Sequence, residues 1–431
     1  MGALLTNSAH FDPARRRETL AALPAAAGVF ALCAEDPAAE PYLGKTPDLR
    51  RRLNRLLKVE EGSAPGKRLR LAKLTARVEY AVTGSEFESA FCLYQASLKA
   101  FGDGARRRLR LRPPVLLRMA AENPFPRLYI TSRICRKAVD SIFGPFASRA
   151  AAETYAEEVL NLFQLRRCTQ DLHPDPSFPG CIYSEMKMCL APCFAGCTDE
   201  RYRQEAEAVQ SFLATRGEAL IGELERERGV ASEALAFEQA AAIHRRITRV
   251  KAAAHSAGEA VRPLSRLHGA VVQAAAAPAS VALFGLRGGY LTGPEIYSTE
   301  GLRHPNERSG SSSFYAHPVA LTPLKEAPAS RDLPESSPPE SRLEDALRRL
   351  WPPGPAPASA PALADHLAFF ARWYYRPAER REGEIVFANG DGAVNRKALL
   401  RAISRVSVAA SVAAMERRSI HASAAPANFP E

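Results

Sequence analysis

The segment GVFALCAEDPAAEPYLGKTPDLRRRLNRLL, residues 28–57, decides the expected fold of the N-terminal part of the chain. Two short motifs in it, GVF at 28–30 and YLGK at 42–45, stand directly ahead of a basic helix. Thr46 can cap that helix with its side-chain oxygen, and Pro47 fits the first turn, where no N–H is needed. Four leucines fall on one face of the predicted helix: Leu49, Leu53, Leu56 and Leu57.

Three polar side chains beside this segment could meet a phosphodiester. Arg51 and Arg55 point away from the leucine face, whereas Arg52 lies on its flank and can lean over the end of the preceding strand. A phosphate at that point would meet Arg52, Lys45 and the phenol of Tyr42 together. Basic groups stabilise the charge on a transferring phosphoryl group, and a phenol held near cations can act in proton transfer. From the residues alone, a packed tyrosine and a solvated arginine face remain the competing interpretation.

The composition limits the class of protein. The chain has 431 residues, enough for two to four domains, and a formal net charge of +11. Such a charge suits a polyanionic partner, nucleic acid first and an anionic membrane second. The start, MGALLTNSAHFDPARRRETL, has no apolar signal-peptide core, and no run of about 18 apolar residues occurs. We therefore expect a soluble cytoplasmic protein without a membrane partner, in which clustered cysteines hold a metal rather than form disulfides.

Four of the eight cysteines lie in one short segment, CIYSEMKMCLAPCFAGC, residues 181–197. Twelve residues separate Cys168 from Cys181, and the later spacings are seven, three and three residues. Four converging thiolates suit either tetrahedral zinc or an iron–sulfur cluster, and the CxxC pairs common in zinc fingers are missing. The other three cysteines are scattered and are expected to be ordinary buried residues: Cys33, Cys92 and Cys135.

The order of the N-terminal motifs resembles the GIY-YIG nuclease domain in the form that the UvrC family carries. The matching residues are Gly28, Phe30, Tyr42, Gly44, Lys45 and Arg52. Three later segments resemble the UvrC stretches that follow: VEYAVTGSEFESAF (78–91), NPFPRLYITSR (123–133) and FGPF (143–146). In the first of them, Ser85 and Glu88 predict a capping box. The resemblance implies a truncated UvrC-like protein that lacks the RNase H-like catalytic region and the helix-hairpin-helix modules.

The same resemblance implies a metal-dependent nuclease, yet the chain departs from the family pattern. Tyr42 would handle the proton, while Lys45 and Arg52 would stabilise charge. The family's first motif ends in Tyr, but Phe30 has no hydroxyl. The family's metal-binding Glu falls at Leu93 by strict counting.

With a short insertion, the family's metal-binding position becomes Gln95, which also lacks a carboxylate. Because Mg²⁺ and Mn²⁺ are held mainly through carboxylates, two interpretations follow. Either Glu86 or Glu88 substitutes for the missing ligand, or the domain binds DNA without cutting it.

The cysteine block CIYSEMKMCLAPC is similar to the cysteine set of UvrC proteins, which is associated with a [4Fe-4S] cluster. The resemblance implies four ligands: Cys168, Cys181, Cys189 and Cys193. Cys197 would be a spare, and zinc remains the alternative.

The segment ASEALAFEQAAAIHRRITRVKA, residues 231–252, has a helical stripe of apolar residues at positions 235, 240, 243, 247 and 250. It resembles the UVR motif, through which UvrC engages UvrB. The resemblance implies that Phe237 is the apolar anchor and that Glu238 and Arg246 flank it as charged partners.

The expected fold class is α+β, with a small mixed sheet and flanking helices, a cysteine loop, a helical hairpin and a reduced β-containing C-terminal region. The predicted divisions are an N-terminal extension (1–20), a GIY-YIG-like domain (21–112), a strand pair, helix and cysteine segment (113–198), a UVR-like helical hairpin broken by Gly229 (199–256), an RNase H-like remnant (257–303 and 363–415), a Pro/Ser-rich linker (304–362) and a tail (416–431). The β-hairpin of that remnant should turn at Gly288-Gly289.

Two functions follow from these patterns. The first is a nucleotide excision repair protein that binds DNA through the basic region 45–112, binds UvrB, and makes the 3′-side incision if its nuclease is active. The second is a catalytically inactive accessory or regulatory protein that occupies DNA or UvrB without incision. A general nucleic-acid-binding protein is the third interpretation, and it requires the UVR-like segment to be a coincidence.

Overall fold

Three four-stranded sheets carry the fold of the described residues, and every strand pair in them is antiparallel. The computed structural model describes residues 4–36, 38–58, 67–302, 338–352, 359–390 and 392–423. The elements are those of an α+β fold, but the predicted mixed sheet is wrong, because no parallel pair occurs among the described strands. Three predicted linker and tail segments lie outside the described residues: 304–337, 353–358 and 424–431.

The first sheet forms the N-terminal unit, the described residues from 4 to 112. Its strands are β1 Asn7–His10, β2 Gly28–Cys33, β3 Tyr42–Thr46 and β4 Arg77–Val82, in the order β1-β4-β2-β3. Its helices are α1 Arg16–Ala21, α2 Leu49–Leu56, α3 Lys67–Leu74, α4 Glu86–Phe101 and α5 Ala105–Leu109. The residues predicted as an N-terminal extension belong to this unit, because β1 pairs with β4 and the Glu79 carboxylate accepts from the Leu4 N–H at 2.6 Å.

Helix α2 begins as the sequence suggests but with a different cap. Asp48, not Thr46, is the N-cap, and its side chain accepts from the Arg51 N–H at 2.8 Å. The Thr46 hydroxyl instead exchanges hydrogen bonds with the Asp48 backbone. The predicted leucine face is confirmed, since all four leucines are buried in one cluster with Phe30.

The second sheet forms the middle unit. Its strands are β5 Val115–Met119, β6 Leu128–Thr131, β7 Ile142–Phe146 and β8 Arg262–Pro263, in the order β6-β5-β7-β8. The predicted pairing of β5 with β6 around the Pro-Phe-Pro turn is confirmed. Helix α6 Arg149–Leu160 packs on this sheet, and the short α7 Ile182–Glu185 lies in the cysteine loop.

Three helices follow where one hairpin was predicted: α8 Asp199–Thr215, α9 Glu218–Glu233 and α10 Phe237–Ser256. The predicted break at Gly229 is wrong, because Gly229 lies inside α9. The chain turns at Gly217, with φ at 82°, and again at residues 234–236, where Leu235 has φ at 58°. No described helix is long and apolar enough to cross a membrane.

The third sheet forms the C-terminal unit, the described residues from 269 to 423. Its strands are β9 Gly269–Ala274, β10 Ser280–Arg287, β11 Tyr290–Ser298 and β12 Glu384–Phe387, in the order β11-β10-β9-β12. Its helices are α11 Pro339–Leu350, α12 Ala360–Tyr374 and α13 Arg396–Ser423. The turn at Gly288-Gly289 is confirmed, and both glycines have positive φ.

The C-terminal unit is more ordered than the remnant that the sequence predicts. Its sheet has a buried core on each face, one against α11 and α13 and the other against α12 and α4. Helix α11 lies within the segment predicted as a linker, and its Leu343, Ala346 and Leu350 are buried. The contact with α4 joins this unit to the N-terminal sheet.

Candidate nucleic-acid and cofactor sites

Strand β3 places Tyr42 and Lys45 on opposite faces of the N-terminal sheet. Side chains alternate along a strand, so residues three apart point to different sides. Tyr42 lies on the α2 face, with its ring centroid 6.2 Å from that of Phe30. Gly44 lies on the same face, where a Cβ would stand 2.8 Å from the Phe30 ring. The two motifs therefore fit together through a ring packed on a glycine.

Gly28, the first motif residue, is required by close packing of the backbone. A Cβ at Gly28 would stand 2.3 Å from the Ala81 carbonyl oxygen, well inside contact distance. The glycine thus lets β2 approach β4 at the point where α2 also packs.

Lys45 is engaged by a carboxylate on the α4 face of the sheet. Its Nζ lies 2.8 Å from Glu86 Oε1, and Glu86 also lies 3.4 Å from Arg376 Nη2 in the C-terminal unit. The hydrogen bond from Lys45, helped by the charges of Lys45 and Arg376, lowers the pKa of Glu86. Arg52 is half-buried on α2. Among the described residues, no hydrogen bond, ion pair or ring contact joins Tyr42, Lys45 and Arg52.

The positions that carry the family's metal-binding Glu are filled differently here. Leu93 packs into an apolar cluster with Val29, Ala31 and Leu43, and Gln95 is exposed. No three His, Cys, Asp or Glu side chains in the described part of the chain are grouped so that they could hold a metal ion.

Glu88 is committed to capping α4. Its carboxylate accepts from the Gly84 N–H at 2.7 Å, and the Ser85 hydroxyl accepts from the Glu88 N–H at 3.1 Å. The hydroxyl half of the predicted capping box is therefore confirmed. Burial raises the pKa of Glu88 despite these hydrogen bonds.

The cysteine loop brings the four predicted ligands into one region, although no three of them are grouped as metal ligands among the described residues. Cys168, Cys181, Cys189 and Cys193 are all partly buried. Burial raises the pKa of the Cys189 thiol to about 11, and the other three cysteines lie close enough to raise it further. The Ala191 N–H donates to Cys189 Sγ at 3.3 Å, and Arg166 Nη1 donates to Cys168 Sγ at 3.8 Å. Hydrogen-bond donors therefore lie beside two of the sulfurs, while burial favours the neutral thiol of Cys189.

The three scattered cysteines do not share one environment. Cys33 is buried, as expected, and Cys92 is partly buried. Cys135 is exposed, so the prediction for it is wrong.

Arg166 is the residue of this site that sequence reasoning missed. Its side chain is 1% exposed, and it donates to the carbonyls of Phe125 and Gln170 at 2.8 Å each. Within the described residues no carboxylate pairs with it, which is unusual for a buried guanidinium. The only signal in the sequence was an arginine pair directly before Cys168, which reads equally as surface charge.

The turn between α9 and α10 presents an exposed apolar tip. Val230, Leu235 and Phe237 are 68%, 71% and 66% exposed, and Glu238 is exposed next to Phe237. Arg246 is also exposed, but it lies nine residues further along α10. The predicted stripe is therefore split, since its later members, at 247 and 250, are buried in the middle unit while Leu235 faces solvent.

Comparison with known proteins bears on these features. A family model for the middle domain of UvrC/Cho excinucleases matches residues 115–212. The UvrABC system protein C of Carboxydothermus hydrogenoformans is 31% identical over 233 residues, 52% of this chain and 36% of the relative. Those of Rickettsia africae and Anaeromyxobacter sp. are both 32% identical, over 48% and 55% of this chain. The chain is a UvrC-like protein.

The residues of this UvrC-like chain that match the middle-domain model include the cysteine loop and three of the four strands of the second sheet, while β8 lies outside the match. The alignments cover only 32 to 36% of the length of these relatives. No solved structure matches the chain.

Proposed function

We propose that this UvrC-like protein acts in nucleotide excision repair by binding DNA and UvrB, and that its GIY-YIG-like domain makes no incision. The absence of incision is supported by Glu86 and Glu88, the two glutamates proposed to replace the missing metal ligand, because both carboxylates already have partners. Glu86 pairs with Lys45 and Arg376, and Glu88 caps α4. Leu93 meanwhile fills the metal-ligand position with an apolar side chain.

The chemistry supports this choice over the nuclease. Proteins bind Mg²⁺ and Mn²⁺ mainly through carboxylate oxygens. Without free carboxylates no metal ion is held, and hydrolysis of the phosphodiester then lacks its Lewis acid. Tyr42 and Lys45 lie on opposite sheet faces, so a phosphate held by one is not in reach of the other. The incising enzyme remains a second candidate, because Tyr42 is 40% exposed and keeps its hydroxyl.

DNA binding is supported by the exposed arginines of the N-terminal unit. Five of them have no side-chain hydrogen bond or ion pair among the described residues: Arg51, Arg55, Arg107, Arg110 and Arg112. Others in the same basic region are already paired, since Arg106 bonds Asp365 and Arg108 bonds Glu40. Phosphates would therefore meet the α2 surface and the chain from α5 to β5.

A nicking assay separates the two candidates. The purified protein, mixed with UvrB, damaged duplex and Mg²⁺ or Mn²⁺, should give no 3′-side nick above the level without protein. A nick that disappears in Tyr42→Phe would contradict the proposal and establish the enzyme. Arg149→Gln, which removes an exposed charge from the middle unit, is the matched control.

We further propose that the four clustered cysteines hold an iron–sulfur cluster, with zinc as the alternative. Two contacts support it: Cys189 Sγ accepts from the Ala191 N–H, and the buried Arg166 cation beside Cys168 can balance the charge of thiolates. Among the described residues no three cysteines are yet grouped as metal ligands, so binding would have to draw the loop positions closer together. When bound, the group would crosslink loop positions that have little apolar packing of their own.

Metal analysis tests the cluster directly. Protein purified without oxygen should be brown and contain about four irons per chain, as a [4Fe-4S] group requires. Cys189→Ser should lose most of the iron, whereas Cys197→Ser, the matched control, should keep it. A colourless protein with stoichiometric zinc would refute the iron–sulfur assignment.

UvrB binding is assigned to the exposed tip between α9 and α10. Phe237→Ala should weaken binding to UvrB about tenfold or more, because exposed aromatic anchors dominate such contacts. The same change should alter the free energy of unfolding by less than about 0.5 kcal/mol, since the ring is solvent-exposed. Titration calorimetry with UvrB measures the affinity, and an unchanged dissociation constant would remove the assignment.

A further inference from the structure

The outer face of α4 is buried by the C-terminal unit rather than by its own sheet. Phe87, Phe91 and Tyr94 are 5%, 1% and 1% exposed, and they belong to one apolar cluster with β10 and α12. The Phe87 ring meets the Phe284 ring edge-on at 4.9 Å and the Trp373 ring at 5.4 Å. We call this contact between α4 and the C-terminal unit the seam. Its aromatic rings pack against one another as they do in a protein interior.

A buried polar contact fixes the register of this seam. The Asp365 carboxylate, on α12, accepts from the Tyr94 hydroxyl at 3.1 Å and from Arg106 Nε at 2.7 Å. Burial raises the pKa of Asp365, although Arg106 opposes the shift. A carboxylate in this setting is satisfied only when both partners are in place, so it selects one arrangement of the two units.

A second polar contact reaches the motif lysine. Arg376 lies two residues beyond the end of α12 and contacts Glu86, whose carboxylate accepts from Lys45 Nζ at 2.8 Å. Lys45 also borders a cleft of about 780 Å³ between the two units, with Arg405 and Glu384 on the opposite wall. The lysine that would meet a phosphate is therefore engaged at the rim of the interface, with its side chain 34% exposed.

We infer that the C-terminal unit is an intramolecular docking module: it binds the aromatic face of α4 and, through Arg376 and Glu86, withholds Lys45 from phosphate. The docking of the C-terminal unit on α4 is inferred only from the contacts in the seam. The part that concerns Lys45 rests on the proposed DNA binding. The module would let the N-terminal unit present its outer arginines to DNA while the motif lysine stays engaged.

Amide hydrogen exchange of the full chain tests the docking part. Asp365→Ala leaves Tyr94 and Arg106 without their acceptor, so exchange across residues 86–101 should become at least about tenfold faster. Exchange in α8, which has no residue in this cluster, should not change. Glu153→Ala, which removes a carboxylate from an exposed pair with Arg149, is the matched control.

Unchanged exchange across α4 in Asp365→Ala would overturn the docking module. If that variant does not fold, Asp365→Asn keeps the side-chain shape and one acceptor, and it should show a smaller increase at the same amides. Equal exchange in Asp365→Asn and in the unaltered protein would then overturn the inference.

DNA affinity tests the hold on Lys45, using fluorescence anisotropy with a short labelled duplex. Glu86→Gln should bind roughly 3- to 10-fold tighter than the unaltered protein, because one more cation becomes free to contact phosphate. Glu153→Gln removes the same charge elsewhere and should give a smaller gain. The gain from Glu86→Gln should vanish in a Lys45→Gln background.

Equal gains from Glu86→Gln and Glu153→Gln, or a gain that persists without Lys45, would overturn this part. If the unaltered protein binds no DNA at all, the proposed function fails and the withholding of Lys45 fails with it. The exchange measurement would still decide the docking, so the two failures are distinguishable.

Discussion

Replacing Arg166 by Met is expected to lower the free energy of unfolding of the middle unit by about 1–3 kcal/mol. The change keeps most of the side-chain volume but removes the donors to Phe125 and Gln170, both at 2.8 Å. A buried carbonyl left without its donor costs about 1–3 kcal/mol, and this applies to Phe125, since Gln170 is exposed and water can replace the lost donor there. The loss of positive charge beside Cys168 should also reduce iron content if the cluster is present.

Native-state hydrogen exchange of β5 and α8 amides measures this effect. Arg149→Met, on the exposed start of α6, is the matched control and should change the opening free energy by less than about 0.5 kcal/mol. If Arg166→Met behaves like that control, the assignment of Arg166 as the internal support of the cysteine loop is wrong. If Arg166→Met contains less iron but has an unchanged free energy of unfolding, the role of Arg166 is limited to balancing the charge of the cluster.

Phe91→Ala is expected to destabilise the seam between α4 and the C-terminal unit by about 3–5 kcal/mol. The Phe91 ring is 1% exposed and lies 5.5–6.2 Å, centroid to centroid, from the rings of Tyr94, Phe284, His366 and Phe369. Truncation removes the buried apolar area and leaves a cavity that the surrounding rings fill only in part. Phe91→Leu should cost less, because it keeps more of the volume.

Urea unfolding followed by tryptophan fluorescence reports this change, since Trp373 lies in the same cluster. Phe237→Ala is the control of equal side-chain change at a 66% exposed position, and its unfolding midpoint should not shift. A loss below about 1 kcal/mol in Phe91→Ala would show that the aromatic face of α4 contributes little to the contact.

Local patterns in the sequence predict several elements well. The leucine spacing of α2 places one apolar face on the sheet, and the Ser85 signal places the start of α4. The Gly288-Gly289 turn follows from the positive φ that the turn needs. These features depend on neighbours within a few residues, so the sequence suffices for them.

The candidate site is only partly accessible to the same reasoning. The sequence names Tyr42 and Lys45 together, but the pleat of β3 separates them. Glu86, which engages Lys45, lies 41 residues further along the chain, and nothing local indicates the pairing. The apolar tip around Phe237 was found by resemblance, while its exposure depends on the turn at Leu235.

By itself the sequence determined the leucine face of α2, the Ser85 cap of α4, the Gly288-Gly289 turn, the basic charge and the cysteine spacing, because each depends on residue type and short-range periodicity. Only the tertiary structure decided that Asp365 meets Tyr94 across 271 positions, and that Glu86 stands between Lys45 and Arg376. Such contacts arise when units pack together, and the burial that selects them has no signature in any short segment of the chain.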